Sequence, residues 1–248
     1  MQKAQKTTEK VSTGERINEF IQNHRKPIFI IAGAVVVLLV ASIAGISLAD
    51  VLRANAIAAV EELGNRYADM RSAVIAEYEA VTAAQEETEE AAETTEENPI
   101  YSELAALLDD LTFFASKKSG YAGGRAWSIL GIIYSDTKNW EEAETAWANA
   151  AKTARKTHLA PHALFNAGVA AEEQGKTEQA ITYYSGSLSA AVDFAAAPRA
   201  QFAIGRLQES LGEDAAAIAA YQAVIANWSY DRVWVNLAHS RIIALEAK

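Results

Sequence analysis

The sequence from residue 124 onwards repeats with a period of 37 residues, and this period limits the fold more than any other feature. It relates Gly131, Gly168 and Gly205. An alanine lies twelve residues after each glycine and an aromatic residue four residues further on; these positions are Ala143, Ala180, Ala217, Trp147, Tyr184 and Tyr221. Small residues let two helices cross closely, and a ring fills the space beside them. Since one such unit cannot bury its apolar face alone, we expect the units to stack into an α-solenoid.

The first unit resembles the tetratricopeptide repeat, or TPR, most closely. It carries that signature at Trp127, Leu130, Gly131, Tyr134, Ala143, Trp147 and Ala150. The second and third units keep the glycine, the alanine and the later ring, but Leu164 and Gln201 replace the first tryptophan. The resemblance implies an all-α fold with about three repeats, at 124–157, 161–194 and 198–231, and a capping helix at 232–248.

A long helix is predicted directly before this region. The residues Val60, Leu63, Tyr67 and Met70 recur at three- and four-residue steps. This spacing predicts an amphipathic helix at 50–84. Its apolar face needs a partner, so it should pack on the repeat domain or pair with a second copy of the chain.

A glutamate-rich stretch at 85–98 interrupts the helical pattern and is predicted to be a mobile acidic insertion, because like charges repel and apolar anchors are lacking. A helix at 99–122 would then complete a degenerate leading repeat. The glycines that follow are expected to break that helix; they are Gly120, Gly123 and Gly124.

An uncharged run of 22 residues, Ile28 to Ala49, lies near the N-terminus. As a helix it would be about 33 Å long, enough to cross a bilayer core of about 30 Å. A cleaved signal peptide is the rival interpretation, because Ser47-Leu48-Ala49 at the end of the run has small residues, Ser47 and Ala49, where a signal peptidase needs them. The run and the segment before it are longer than a signal peptide usually has, which favours a retained anchor.

Basic residues predict which way this anchor points. Six of them precede the run, whereas the twenty residues after it contain Arg53 and Arg66. The positive-inside rule therefore predicts a basic cytoplasmic tail at 1–27, a transmembrane helix at 28–49 in the cytoplasmic membrane, and a C-terminal domain outside it. In a bacterium with two membranes, that domain would be periplasmic.

The composition excludes several classes of function. The net charge is −10, and since residues 1–27 sum to +3, the rest of the chain carries −13, which argues against nucleic-acid binding. There is no cysteine, so disulfides, thiol catalysis and cysteine-ligated metals are excluded. His158 and His162 are four apart, but Pro161 lies between them without a carboxylate motif. We therefore predict no metal, no cofactor, no catalytic residue and no enzymatic activity.

The TPR resemblance also implies a binding surface, because the first helices of TPR units form a concave face that holds peptides or partner helices. Transferred to this sequence, that face consists of Arg125, Ser128, Ile132, His162, Phe165, Val169, Arg199, Phe202 and Arg206. Phe165 and Phe202 would form an aromatic stripe flanked by arginines, which suits an apolar segment with acidic groups. Alternatively, both rings pack as core under the terminal helix.

The overall plan is similar to the YfgM-like family, which has a short cytoplasmic tail, one span and an extracytoplasmic TPR-like domain. That resemblance implies an accessory role beside the SecYEG translocon and association with periplasmic chaperones. We therefore predict a scaffold that binds other proteins. The alternative is a structural subunit of an envelope assembly that forms homo-oligomers through the helix at 50–84. A sensor that signals through the tail is less favoured, since 27 residues contain no domain.

Overall fold

A computed structural model describes residues 13–87, 99–191 and 193–247. The regular structure of these residues is helical throughout, which confirms the predicted all-α class with TPR-like helical repeats. The helices are α1 (Thr13–Glu87), α2 (Pro99–Lys117), α3 (Gly120–Asp136), α4 (Trp140–Thr153), α5 (Leu159–Glu173), α6 (Thr177–Ala190), α7 (Ala197–Ser210), α8 (Asp214–Asn227) and α9 (Arg232–Glu246).

The chain divides into two compact units, Met1–Ala54 and Asn55–Lys248. In the first unit, the large apolar side chains of α1 are exposed, among them Phe29, Leu38 and Ile46. Within the described residues, one helical stretch, Phe29–Ala76, is long and apolar enough to cross a membrane by length and composition. Residues 1–12 of the predicted tail lie outside the described residues.

In the second unit, the apolar face of α1 is covered by the repeat domain itself. Val60 and Met70 are buried in one cluster with Leu107 of α2 and Ile129 of α3. Three ion pairs surround this cluster and join α1 to its neighbours: Glu61 to Arg125, Arg66 to Asp110, and Arg71 to Asp136. Of the two partners expected for this face, the domain is therefore the one that the structure provides.

Two of the three glycines after α2 have a different role from the one predicted. The first, Gly120, has a φ of +65° at the start of α3, but Gly123 and Gly124 lie inside α3 and are buried. A Cβ added to Gly124 would lie 2.3 Å from the Cβ of Ala154, so this glycine permits close packing rather than ending a helix. The break lies at 118–119, and the first repeat begins four residues earlier than predicted. Residues 88–98 of the predicted acidic insertion lie outside the described residues.

Three helix pairs follow, α3–α4, α5–α6 and α7–α8, and each pair turns at the same point of the 37-residue period. The turn residues Lys138, Gly175 and Gly212 all have positive φ, between 58° and 76°. Residues in this left-handed conformation commonly end helices, and glycine adopts it without strain. After the third pair, Asp231 caps the N-terminus of α9, and its carboxylate accepts a hydrogen bond from the Trp234 backbone N–H. It buries Ala238 and Leu245 against α8 and closes the core.

Candidate protein-binding groove

Each repeat pair is held by an aromatic ring that packs on a glycine, in the register predicted by the sequence. A Cβ added to any of these glycines would lie 2.6–2.7 Å from a ring atom, so no larger residue fits without displacement; the pairs are Gly131 with Trp147, Gly168 with Tyr184, and Gly205 with Tyr221. The alanines of the signature are fully buried beside them; they are Ala143, Ala180 and Ala217. In the first repeat, Leu130 is buried in the leading core cluster, and Trp127 and Tyr134 pack against it.

The hydroxyl groups of the tyrosine rings in the second and third repeats each donate a hydrogen bond to a glutamate. The Tyr184 hydroxyl donates to Glu172 (3.1 Å), and Arg206 of the next repeat donates to the same carboxylate. One period later, the Tyr221 hydroxyl donates to Glu209 (3.1 Å), which also pairs with Arg241 of α9. These two glutamates therefore connect each repeat to the following helix.

The glutamates were not singled out by the sequence reasoning. A signal for them exists, since Glu172 and Glu209 are one period apart and both lie four residues after the repeat glycine. The same position in the first repeat is Ser135, which accepts a hydrogen bond from the Trp147 indole (3.2 Å).

Burial and these carboxylates keep the two phenols protonated. Burial raises the pKa of Tyr184, and the charge and hydrogen bonding of Glu172 raise it further. Burial likewise raises the pKa of Tyr221 to about 12, with a further contribution from its hydrogen bond to Glu209. Both hydroxyls are consequently fixed as donors near neutral pH.

Five of the nine residues predicted for the concave face line one cavity of about 240 Å³: Phe165, Val169, Arg199, Phe202 and Arg206. Glu172, Glu173 and Trp234 complete much of its wall. A neighbouring cavity of about 500 Å³ shares Phe202 and Arg206 and extends to Arg241 of α9. Together these cavities form a groove along α5, α7 and α9, which we call the α5–α7–α9 groove.

The two rings of the predicted stripe form the floor of this groove and are partly core. Phe165 is 6% exposed and packs near Tyr184 and Phe194. Phe202 packs against Tyr221 and against Trp234 of the terminal helix, with ring centroids 5.1 and 5.3 Å apart. Much of the surface of both rings is therefore packed against other core rings, as in the alternative interpretation, while their remaining surface faces the groove.

The three arginines differ from the expectation that all are available for ligand carboxylates. Arg125 makes two hydrogen bonds to Glu61, and Arg206 pairs with Glu172. Arg199 is exposed and lies over the Phe165 ring, 5.3 Å from its centroid, as in a cation–π contact.

The other predicted residues lie away from this cavity. The Ser128 hydroxyl is buried and donates to the Gly124 carbonyl, and Ile132 packs on the core cluster formed by α4 and α5. His162 is exposed and meets Phe194 edge to face, whereas His158 contacts Tyr121. Within the described part of the chain, no group of three or more His, Cys, Asp or Glu residues could hold a metal ion.

Comparison with known proteins agrees with this geometry. The Tetratricopeptide repeat family model matches residues 148–191 and 165–232. The TPR repeat-containing protein of Treponema pallidum (strain Nichols) is 31% identical over 142 residues, which are 56% of this chain and 59% of that protein. This chain therefore matches less than two thirds of that relative's length.

Two solved structures of TPR proteins match this chain at TM-scores below 0.5. The Arabidopsis OM64 TPR domain is 16% identical, with a TM-score of 0.41 over 49% of this chain and 94% of its own. The TPR-like repeats of a putative kinesin light chain from Podosopora anserina are 11% identical, with a TM-score of 0.43 over 60% of this chain and 89% of theirs. Residues 148–232 of this chain are therefore similar to the Tetratricopeptide repeat family, and the relative is likewise a TPR repeat-containing protein.

Proposed function

We propose that this protein is a non-catalytic scaffold, tethered to the cytoplasmic membrane, that binds another protein in the α5–α7–α9 groove. The observation that carries this proposal is the cavity of about 240 Å³, where Phe165 and Phe202 supply apolar surface beside Arg199. Apolar surface with a few placed polar groups is typical of a binding site. TPR folds are typically non-catalytic interaction modules, which agrees with this role.

The charge pattern of the groove indicates the kind of segment that would bind. Arg206 and Arg241 are already paired with Glu172 and Glu209. Arg199 also lines the cavity of about 240 Å³, and it lies over the Phe165 ring. An extended peptide or helix with an apolar side chain next to a carboxylate would satisfy both the rings and Arg199.

The membrane tether is supported by the exposed apolar helix of the N-terminal unit. In lipid, such a helix needs no partner for its side chains, and its backbone polar groups are satisfied internally. The excess of basic residues before residue 28 supports a cytoplasmic N-terminus and an extracytoplasmic, periplasmic repeat domain. The plan is similar to that of the YfgM-like family, which supports a role beside the translocon or with periplasmic chaperones.

Reversible crosslinking in intact cells, followed by identification of the bound proteins, tests this proposal. We expect Arg199→Glu to lose the captured partner, because the carboxylate repels the acidic group that Arg199 would bind. Arg155→Glu is the matched control, since Arg155 is exposed in the turn after α4 and should leave capture unchanged. Equal capture by wild type and Arg199→Glu would count against the groove.

Recovery of only copies of this chain would instead favour the alternative, an envelope subunit that oligomerises through residues 50–84. One observation supports that alternative: Val74 and Ile75 of α1 are each 45% exposed, beside an apolar face that is otherwise buried in the domain. Replacing both with glutamine should abolish self-crosslinking if they form that contact.

A further inference from the structure

A second cavity, of about 330 Å³, lies between α2, α3 and α4 and shares no lining residue with the α5–α7–α9 groove. Its apolar lining comes from Trp127, Leu130 and Tyr134 of α3 and from Ala146 of α4. Thr112 of α2 and Thr145 of α4 also line it. It is therefore open space beside three residues of the TPR signature, at a place where a repeat protein usually packs side chains.

The 37-residue register explains why this space is unfilled. Ala146 of the first repeat corresponds to Tyr183 of the second. Tyr183 is half-buried and packs on two core clusters that include residues of α5, and burial and the charge of Glu144 of the preceding repeat raise its pKa. The first repeat therefore has a methyl group where the second has a ring, while its first helix carries Trp127 and Tyr134 where the second has Leu164 and Ala171.

The third repeat closes the same place differently. Its equivalent of Ala146 is Ala220, and its equivalent of Trp127 is Gln201. The Gln201 amide donates to the Ala220 carbonyl (3.3 Å), which joins the two helices at that level. Of the three repeats, the first thus combines a small residue on its second helix with a large apolar surface on its first.

The rim of the cavity is acidic. Glu141 and Glu142 line it from the first turn of α4, and both are exposed. The acidic stretch at residues 88–98 does not complement this rim, since it contains five glutamates and no aromatic residue. The occupant must instead bring an aromatic ring and positive charge.

We propose that the cavity between α2, α3 and α4 binds an aromatic side chain of a partner protein, in a segment where Lys or Arg flanks that residue. The ring packs on Trp127 and Tyr134, in the place that Tyr183 occupies one repeat later. The flanking cations pair with Glu141 and Glu142, which gives the site its charge preference. This contact is independent of the α5–α7–α9 groove, so the scaffold would hold two different segments.

Fluorine NMR of the full chain in zwitterionic micelles, labelled with 5-fluorotryptophan, tests this proposal. The chain contains five tryptophans, and Trp127→Phe assigns the Trp127 signal. The probes are three blocked tripeptides, Lys-Tyr-Lys, Lys-Ala-Lys and Glu-Tyr-Glu. We expect Lys-Tyr-Lys to shift the Trp127 signal saturably at about millimolar concentration, and the other two to bind about tenfold more weakly or not at all.

Two variants separate the ring from the charge. Ala146→Tyr copies Tyr183, so it should fill the cavity, keep the melting temperature and abolish the shift. The double variant Glu141→Gln, Glu142→Gln changes exposed residues only and should weaken Lys-Tyr-Lys binding about tenfold. Glu178→Gln is the matched control, because Glu178 is the equivalent of Glu141 in the second repeat, and its binding should equal that of wild type.

Three results would overturn the proposal. The first is an unshifted Trp127 signal with Lys-Tyr-Lys, and the second is equal binding of Glu-Tyr-Glu. The third is a Trp127 shift that appears on raising the protein concentration without any probe, since a second copy of the chain would then occupy the cavity. If Ala146→Tyr fails to fold, the glutamine double variant still decides the outcome.

Discussion

All three repeats share one contact between a ring and a glycine, but the residue that the polar atom of the ring binds differs between the first repeat and the two that follow. In all three, a ring of the second helix packs on a glycine of the first. In the second and third repeats the ring tip reaches Glu172 or Glu209, and each carboxylate also binds an arginine of the next helix. In the first repeat the ring tip reaches the hydroxyl of Ser135, and the described structure records no cation there.

A repeat can therefore match the TPR signature closely without its ring reaching a residue that binds the next repeat. The first repeat matches the TPR signature best, yet its ring contact stays within the repeat. The later repeats have lost signature residues, such as the first tryptophan, but carry a glutamate that connects each repeat to its neighbour. Apolar packing therefore forms each unit, while charged hydrogen bonds help to set the geometry between units.

The largest expected effect tests the shared contact. Gly205→Ala should lower the free energy of unfolding by about 1–3 kcal/mol, because its Cβ would overlap the Tyr221 ring. Gly131→Ala and Gly168→Ala should cost similar amounts, measured by chemical denaturation of the full chain in detergent. The control is Gly186→Ala, whose Cβ would lie 3.6 Å from Leu164 and should be tolerated. Equal stability of the Gly186 and Gly205 variants would contradict a shared steric contact.

A smaller effect sharpens the difference between the repeats. Glu209→Gln removes the charge that binds Arg241 and should cost about 1 kcal/mol. Ser135→Ala removes the neutral equivalent in the first repeat and should cost about 0.5 kcal/mol. Denaturation at low and high salt distinguishes the two, because salt screens the exposed arginine pair and should reduce only the Glu209→Gln effect. An effect of Glu209→Gln that does not change with salt would argue against the ionic contribution.

The smallest expected effect is a loss of stability that occurs only in alkaline solution and not at neutral pH. Burial raises the pKa of Tyr221 to about 12 in the folded chain, against 10.0 for the free phenol, so folding favours its protonated form. Its contribution to stability is complete below pH 10 and is lost as the pH rises through about 12. Alkaline unfolding followed by circular dichroism should therefore be less steep over this window in Tyr221→Phe. The same slope in both proteins would contradict the prediction, and Trp147→Phe should leave the slope unchanged because indole does not titrate there.

Much of the repeat region could be predicted from the sequence. Helix pairs, positive-φ turns and glycine–ring contacts depend on residues within one repeat. The spacing of those residues along the chain therefore indicates how they are arranged in the structure. The turn at Gly175 is an example, since Gly212, one period later, has the same left-handed backbone. Gly124 was wrongly predicted to break a helix, because it serves a contact with Ala154, thirty residues away in the chain.

What the sequence by itself determined is the class of fold and the register of the repeats; of the nine groove residues that it predicted, the structure brings five to one cavity. Only the tertiary structure decided that Arg125 and Arg206 are already paired, that Phe202 packs under Trp234, and that the face of α1 at Val60 is covered by the domain. The physical reason is the range of the contact. Periodicity places a side chain on a helix face, but its partner there depends on how closely neighbouring helices pack, and side chains far apart in the chain set that distance.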